Sequence, residues 1–342
     1  MGNKKAFFYL FILVATFIAG VFVDEIQISD TSIPLQNILN DYIYSHPTLA
    51  SSVFPNWFPQ VENNYQSLNE VPLEENQQPL SFLIAGHIYG GANLQDIYPA
   101  VSLVTNVQVL NQMKPDMFVF LGDTVILPTD EQFAKLENSL LNKLSMPVYN
   151  IVGNHDVKIH HVYENRYGET VFSFQYKSHL FLFLDSTIND CALTEEQYQY
   201  IKDEIGQAQQ TGNIKGIHLF IHNVLFWNDE YEANSSIDFP NIKCSDTYRF
   251  LVFMEEDLSP ISEQIPVYIY SGDIGGEESD LSPFFDIFPH SNISLFATGI
   301  SNHDNDSIII AREIDGELVH SAFSLSGKGI QPIEVYDLEY WK

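Results

Sequence analysis

An α/β fold follows from three regularities of the chain. Short apolar runs recur, and each stops at glycine plus a polar residue: Ser81–Ala85 before Gly86 and His87, Met117–Leu121 before Gly122 and Asp123, Pro147–Val152 before Gly153 and Asn154. Segments with helical spacing lie between these runs, as expected where buried strands alternate with crossover helices. Two Thr-x-x-Gln patterns, Thr129–Gln132 and Thr194–Gln197, mark helix starts of the capping-box type.

Composition supports a globular chain and excludes some functions. Hydrophobic residues make up 45% and aromatics 13% of the 342 residues, too much apolar surface for a disordered chain. The 15 Lys and Arg face 45 Asp and Glu, for a formal net charge of −30. Such a charge repels nucleic acid and anionic membrane surfaces, so no nucleic-acid partner is expected.

Met1–Val23 carries Lys4 and Lys5 and then an apolar or weakly polar run that ends before Asp24 and Glu25. This reads as a signal peptide or signal anchor, with the rest of the chain extracytoplasmic and any membrane contact confined to this segment. Cys191 and Cys244 lie in the exported part and could pair there. Residues 24–79 mix Asn, Gln, Ser and Pro with aromatics and lack periodicity, as a linker or extension would.

The domain proper is expected over 80–325. Ser81–Ala85 is its first strand. Val101, Val104, Val107 and Leu110 place a helix over Tyr98–Lys114, and Met117–Leu121 is the second strand. A helix opens at Thr129 with Phe133, Leu136, Leu140 and Leu144 on one side, and the strand ending at Gly153 follows. Val171–Tyr176 and Leu180–Asp185 read as paired strands, and the second capping box opens a helix to about Gln210. Ile217–Ile221 is a buried strand ending on His222. A polar stretch, Asn223–Ser245, leads to a helix at Thr247–Asp257 and a strand at Val267–Tyr270. Ile293–Ala297, Ser307–Ile314 and Leu318–Leu325 are the last strands, and 326–342 reads as a C-terminal tail.

The strand ends thus carry His87, Asp123, Asn154 with His155, His222 and Asp273. Ligands of open α/β sheets bind at this edge, and oxygen and imidazole donors without thiolate suit Mn, Fe, Zn or Mg. Such a set can support hydrolysis by a metal-activated water. His160, His161 and His218 read as structural: the first two start a helix, and His218 sits in a strand as a hydrogen-bonded core histidine.

The order of these motifs resembles the calcineurin-like metallophosphoesterases, whose pattern runs D-x-H, G-D, G-N-H-D or G-N-H-E, a lone H, and G-H-x-H. Gly122-Asp123 corresponds to the second motif, Gly153-Asn154-His155-Asp156 to the third and His222 to the fourth. The resemblance, spanning roughly Phe82–Leu325, implies two packed mixed β-sheets flanked by helices. It also implies metal ligation by Asp123, Asn154, His222 and Asp273, with His155 as the acid for the leaving group and Asp156 orienting it. Two motifs depart from the pattern. Ala85 stands where the first motif has Asp, while Asp273 and Gly275 stand where the fifth has its two histidines. The losses fall on one of the family's two metals, which keeps only His87 and Asp123, whereas the other keeps a full donor set. The expectation is therefore one ion, with His87 meeting the phosphoryl group where the second ion is missing. His303 or Asp304 could alternatively refill that place. The function expected is metal-dependent hydrolysis of a phosphomonoester or phosphodiester, on a phosphorylated small molecule or glycan. The alternative is an inactive relative that binds a phosphorylated or sugar ligand at the cell envelope.

Overall fold

The computed structural model describes residues 68–69, 73, 76–91, 97–158, 160–234, 244, 246–274 and 282–342. The N-terminal apolar run and most of the extension lie outside these residues, as do the expectations placed on them. No helix among the described residues is long and apolar enough to cross a membrane.

Alternation of strand and helix builds the first half: β1 (Ser81–Ala85), α1 (Val101–Gln112), β2 (Met117–Phe120), α2 (Asp130–Ser139), β3 (Val148–Asn150) and α3 (His160–Tyr167). β1, β2 and β3 are parallel neighbours. Thr129 accepts the Gln132 N–H at 3.2 Å as the cap of α2. The Gln132 side chain turns away from the cap to accept the Leu127 N–H at 3.0 Å, so the box is only half closed.

The second half contains β4 (Phe172–Tyr176), β5 (His179–Leu184), α4 (Glu195–Thr211), β6 (Gly216–Ile221), α5 (Asp229–Asn234), α6 (Thr247–Phe253), α7 (Ser259–Ser262), β7 (Val267–Ser271), β8 (Phe284–Ile287) and β9 (Ile293–Ala297). The chain then returns to the first sheet with β10 (Ser307–Ile314), β11 (Glu317–Ser324) and β12 (Ile330–Pro332). Two mixed six-stranded sheets result, ordered β12-β11-β10-β1-β2-β3 and β4-β5-β6-β7-β9-β8. The α/β fold of two packed mixed sheets with helices is therefore the observed one.

The abundance of aromatics has a clear use. Phe172, Phe183, Phe220, Tyr270 and Phe296 are successive cross-strand partners from β4 to β9. Their rings stack at centroid distances of 4.4, 4.9, 5.0 and 4.9 Å. A second row, Phe174, Phe181, His218 and Tyr268, stacks beside it at 5.2, 4.7 and 4.9 Å. These rows share one buried cluster with Phe82, Ile84 and Val119 of the other sheet. Each such ring pair adds about 0.5–1.5 kcal/mol beyond its buried area, so the inter-sheet layer is a rigid base for the strand ends above it.

A chain of neutral polar groups runs through this layer. His179 Nδ1 lies 2.9 Å from His218 Nε2, His218 Nδ1 3.3 Å from the Tyr270 hydroxyl, and that hydroxyl 2.8 Å from His320 Nε2. His218 is thus a hydrogen-bonded strand histidine, as expected. Burial lowers all three imidazoles: His179 to about 4, where Glu313 opposes and Lys215 adds to the effect, His320 to about 3, and His218 well below its usual value, with His179 and His320 adding to it. Folded-state values below the unfolded 6.5 mean that stability is fully present above that pH and is lost as pH falls towards 4 and then 3. Each histidine contributes a slope of up to about 1.4 kcal/mol per pH unit. Denaturant melts in chelator should therefore show a steep loss of stability between pH 6 and 5, and a flat profile there would contradict this core.

Three expectations change. Residues 326–342 are not a tail: β12 pairs with β11, Ile333 is buried between the sheets, and Trp341 packs into the other core and donates to the Pro283 carbonyl at 3.2 Å. Part of the extension is also built in, since Leu68 is buried and Asn69 N–H bonds the Val148 carbonyl at 3.0 Å. β8, unexpected from its short sequence, closes the edge beyond β9. Cys191 and Cys244 form a disulfide across 53 residues, with Cα atoms 5.2 Å apart.

Candidate metal centre

The carboxyl ends of β1, β2, β3, β5, β6 and β7 meet at one edge, and each is followed by a residue of the site. Two glycines permit this approach. Gly122 adopts φ 83° at the end of β2, a conformation that side chains resist. At Gly153 a Cβ would fall on Asp123 Oδ1, so only glycine lets the β3 turn close over that carboxylate. His87 and Asp123 themselves hold φ of 53° and 54°. Such left-handed backbone costs about 1–2 kcal/mol per residue and concentrates at functional positions.

Asp123 is the centre of the arrangement and is 1% exposed. Its Oδ1 accepts the His155 backbone N–H at 3.0 Å, and its Oδ2 faces His87 Nε2 at 3.2 Å and the Tyr89 hydroxyl at 3.4 Å. Burial pushes this carboxyl up, but His222 and His87 beside it outweigh that effect and hold it well below the usual carboxylate range. Tyr89 is pushed up by burial and by the neighbouring Asp123 and Asp273, so its phenol keeps its proton and donates.

His222, fully buried, directs Nδ1 at the Leu121 carbonyl at 2.7 Å. That bond fixes the proton on Nδ1 and leaves the Nε2 lone pair facing the centre. Nε2 lies 3.2 Å from Asn154 Oδ1 and 3.6 Å from both Asp123 Oδ1 and Asp273 Oδ1. In this tautomer four acceptor atoms confront one another with no hydrogen between them. Burial would lower the His222 pKa, but Asp123 and Asp273 reverse the direction and raise it.

These separations fit a shared cation. Ligands about 2.0–2.2 Å from one ion stand roughly 3–4 Å apart, the range found here. His87, expected to meet substrate, instead turns Nε2 to Asp123 and to Asp273 Oδ1 at 3.9 Å. His87, Asp123 and Asp273 form a group whose ligand atoms all lie within 4.8 Å of one another. All four expected metal ligands are thus brought together, and His87 joins them. His303 and Asp304 are exposed and stand outside this group. Gly275 lies outside the described residues.

Asp156 is placed differently from expectation. Its Oδ1 accepts the Thr124 N–H at 2.8 Å and hydroxyl at 2.7 Å, and its Oδ2 accepts the Gly153 N–H at 2.9 Å. It therefore staples the loop after β2 to the turn after β3 and makes no hydrogen bond to the His155 imidazole. Burial and then the charge of Asp123 push its pKa up to about 6 against those hydrogen bonds. His155 Nδ1 instead bonds the Ile126 carbonyl at 2.8 Å, and its Nε2 makes no hydrogen bond among the described residues. The Tyr89 ring lies between the two histidine rings, 4.7 Å from His87 and 5.1 Å from His155. The exposed Lys158 ammonium approaches His155 Nδ1 at 3.2 Å.

Sequence reasoning missed Tyr89, the Ile126 carbonyl and Asn223, whose Nδ2 donates to Asp273 Oδ2 at 2.8 Å. Tyr89 and Asn223 stand two and one positions after recognised motif histidines, but nothing in a single sequence distinguishes them from loop residues.

A buried cluster of oxygen and imidazole donors that could hold a metal ion thus lies at the strand ends of a two-sheet sandwich. Residues 87–243 match the family model of the calcineurin-like phosphoesterases, in agreement with the resemblance read from the motifs. Divalent metal dependence and phosphoester hydrolysis are the family's general chemistry. No curated protein matches the sequence significantly. Among solved structures, PhoD is similar at 10% identity, with TM-score 0.48 over 77% of this chain and 73% of that one. Zinc-complexed Vps29 from Entamoeba histolytica is similar at 10% identity, with TM-score 0.34 over 74% of this chain and 96% of that one.

Proposed function

We propose that this protein is an extracytoplasmic phosphoester hydrolase working with a single divalent cation. The observation that carries this reading is the convergence of Asn154 Oδ1, Asp123 Oδ1 and Asp273 Oδ1 on His222 Nε2 at 3.2–3.6 Å, with His87 Nε2 3.2 Å from Asp123 Oδ2. A cation held by these atoms would polarise a phosphoryl oxygen and acidify a coordinated water.

The chain's own groups complete the reaction. With Nδ1 committed to the Ile126 carbonyl, His155 presents Nε2 to the leaving oxygen and delivers a proton there. Its backbone N–H on Asp123 Oδ1 fixes the imidazole beside the cation ligands. Lys158 adds a positive charge next to His155 in an otherwise acidic chain and serves the phosphoryl oxygens. The substrate is a phosphorylated small molecule or glycan.

Two features support the location. Lys4 and Lys5 precede the apolar run to Val23, so residues 1–23 act as signal or anchor and 24–79 as an extension to the domain. The Cys191–Cys244 disulfide fits an oxidising compartment. The test is an assay of p-nitrophenyl phosphomonoesters and phosphodiesters with Mn²⁺ and with chelator. Turnover that Mn²⁺ restores after chelation is expected. Ligand binding with no turnover at any metal concentration would favour the inactive, ligand-binding relative instead.

A further inference from the structure

The departure of the fifth motif from the family pattern raises a physical question. Asp273 stands at the first histidine of that motif, and a carboxylate, unlike an imidazole, offers two equivalent oxygens and can turn either one away. Something has to aim it. The Asp273 side chain is 18% exposed and stands on the loop just after β7. Its Oδ2 accepts a hydrogen bond from Asn223 Nδ2 at 2.8 Å, while Oδ1 faces His222 Nε2 at 3.6 Å and His87 Nε2 at 3.9 Å.

Asn223 is itself held. Its Oδ1 accepts the Ser186 hydroxyl at 2.7 Å, so the amide has one orientation in which oxygen meets a donor and nitrogen meets the carboxylate. The Ser186 hydroxyl oxygen also accepts the Asn223 N–H at 3.4 Å. The Asn223 carbonyl accepts the Ser271 hydroxyl at 3.2 Å, and the Gly272 and Asp273 N–H groups both bond the His222 carbonyl at 2.9 Å. Ser186 is fully buried and Asn223 is 6% exposed, so water competes little for these bonds. The ends of β5, β6 and β7 are thereby tied into one polar chain that terminates on a metal-facing carboxylate.

We propose that Asn223 is a positioning residue: held by Ser186, it occupies Asp273 Oδ2 and aims Oδ1 at the cation, so that a carboxylate serves where the family pattern has histidine. This rests on the single-metal reading above. The Asn223 amide is taken up by Ser186 and Asp273, so its effect on the cation travels through Asp273.

The experiment is calorimetric titration of the metal-free full chain with Mn²⁺, for wild type, Asn223→Ala, Asn223→Asp, Ser186→Ala, Asp273→Ala and the Asn223→Ala/Asp273→Ala double variant. Asn223→Ala should weaken Mn²⁺ binding about 10- to 100-fold, the usual effect of removing a partner that orients a ligand. Asn223→Asp keeps the shape but sets a carboxylate against a carboxylate, so it should weaken binding at least as much. Ser186→Ala should do so by a smaller factor. In the Asp273→Ala background the Asn223 substitution should cause no further loss, which a merely structural role would not predict. Wild-type affinity in both Asn223 variants, or an equal loss with and without Asp273, overturns the proposal while leaving the metal site intact. A wild-type chain that binds no Mn²⁺ overturns both readings.

Discussion

Asp123→Asn should abolish tight Mn²⁺ binding, read by calorimetry, and lower kcat/KM in the Mn²⁺-dependent assay on the order of 10³-fold. The size follows from position. Asp123 is the one carboxylate that meets His87, Tyr89, His155 N–H and His222 together, and its charge persists despite burial because His222 and His87 hold its pKa down. An amide keeps the shape but sets an N–H among acceptors or against donors. It removes the charge that a cation needs and with it several kcal/mol of transition-state stabilisation. Retained metal-stimulated activity in this variant would mean that the cluster is not the catalytic centre.

His155→Ala gives the second large effect, of a different kind. Only the imidazole is removed, while the backbone N–H on Asp123 remains, so Mn²⁺ affinity should stay within a few-fold of wild type. The loss falls on kcat, by about 10²- to 10⁴-fold where the leaving group needs a proton. An alkyl phosphoester, whose alkoxide is a poor leaving group, should suffer more than a p-nitrophenyl ester, whose phenolate leaves unaided. Equal losses on both would remove His155 from the acid role, and unchanged turnover on both would remove it from the mechanism.

The strands that carry the site were legible because each is an apolar run cut off by glycine and a polar residue, a local pattern. Ser81–Ala85 agrees with β1 residue for residue, and both Thr caps form. The allocation of strands between two sheets was not local. It came only through the family resemblance, since β10 and β11 join β1 across more than two hundred residues. β12 and Trp341 escaped because three exposed strand residues and a lone tryptophan carry no periodicity, and the partner of Trp341, Pro283, lies far back in the chain.

Within the site, residue types revealed which groups can bind metal but not where each side chain turns. Asn154, His222, Asp123 and Asp273 converge as read. Asp156 looked like the partner of its neighbour His155, yet a turn places adjacent side chains on different sides. Its oxygens are taken by Thr124 and Gly153, while a backbone carbonyl holds the imidazole. His87 was read as substrate-facing because its motif had lost Asp to Ala85. Its left-handed backbone, with φ 53°, brings the ring instead onto Asp123. Asn223 depends on Ser186 and Asp273, 37 and 50 positions away, and only folding makes it a neighbour of both.

The central claim is that one cation sits among Asp123, Asn154, His222, Asp273 and His87. Elemental analysis of the protein after saturation with Mn²⁺ and removal of free metal measures this directly. One tightly bound equivalent per chain is predicted. Two equivalents would contradict the account.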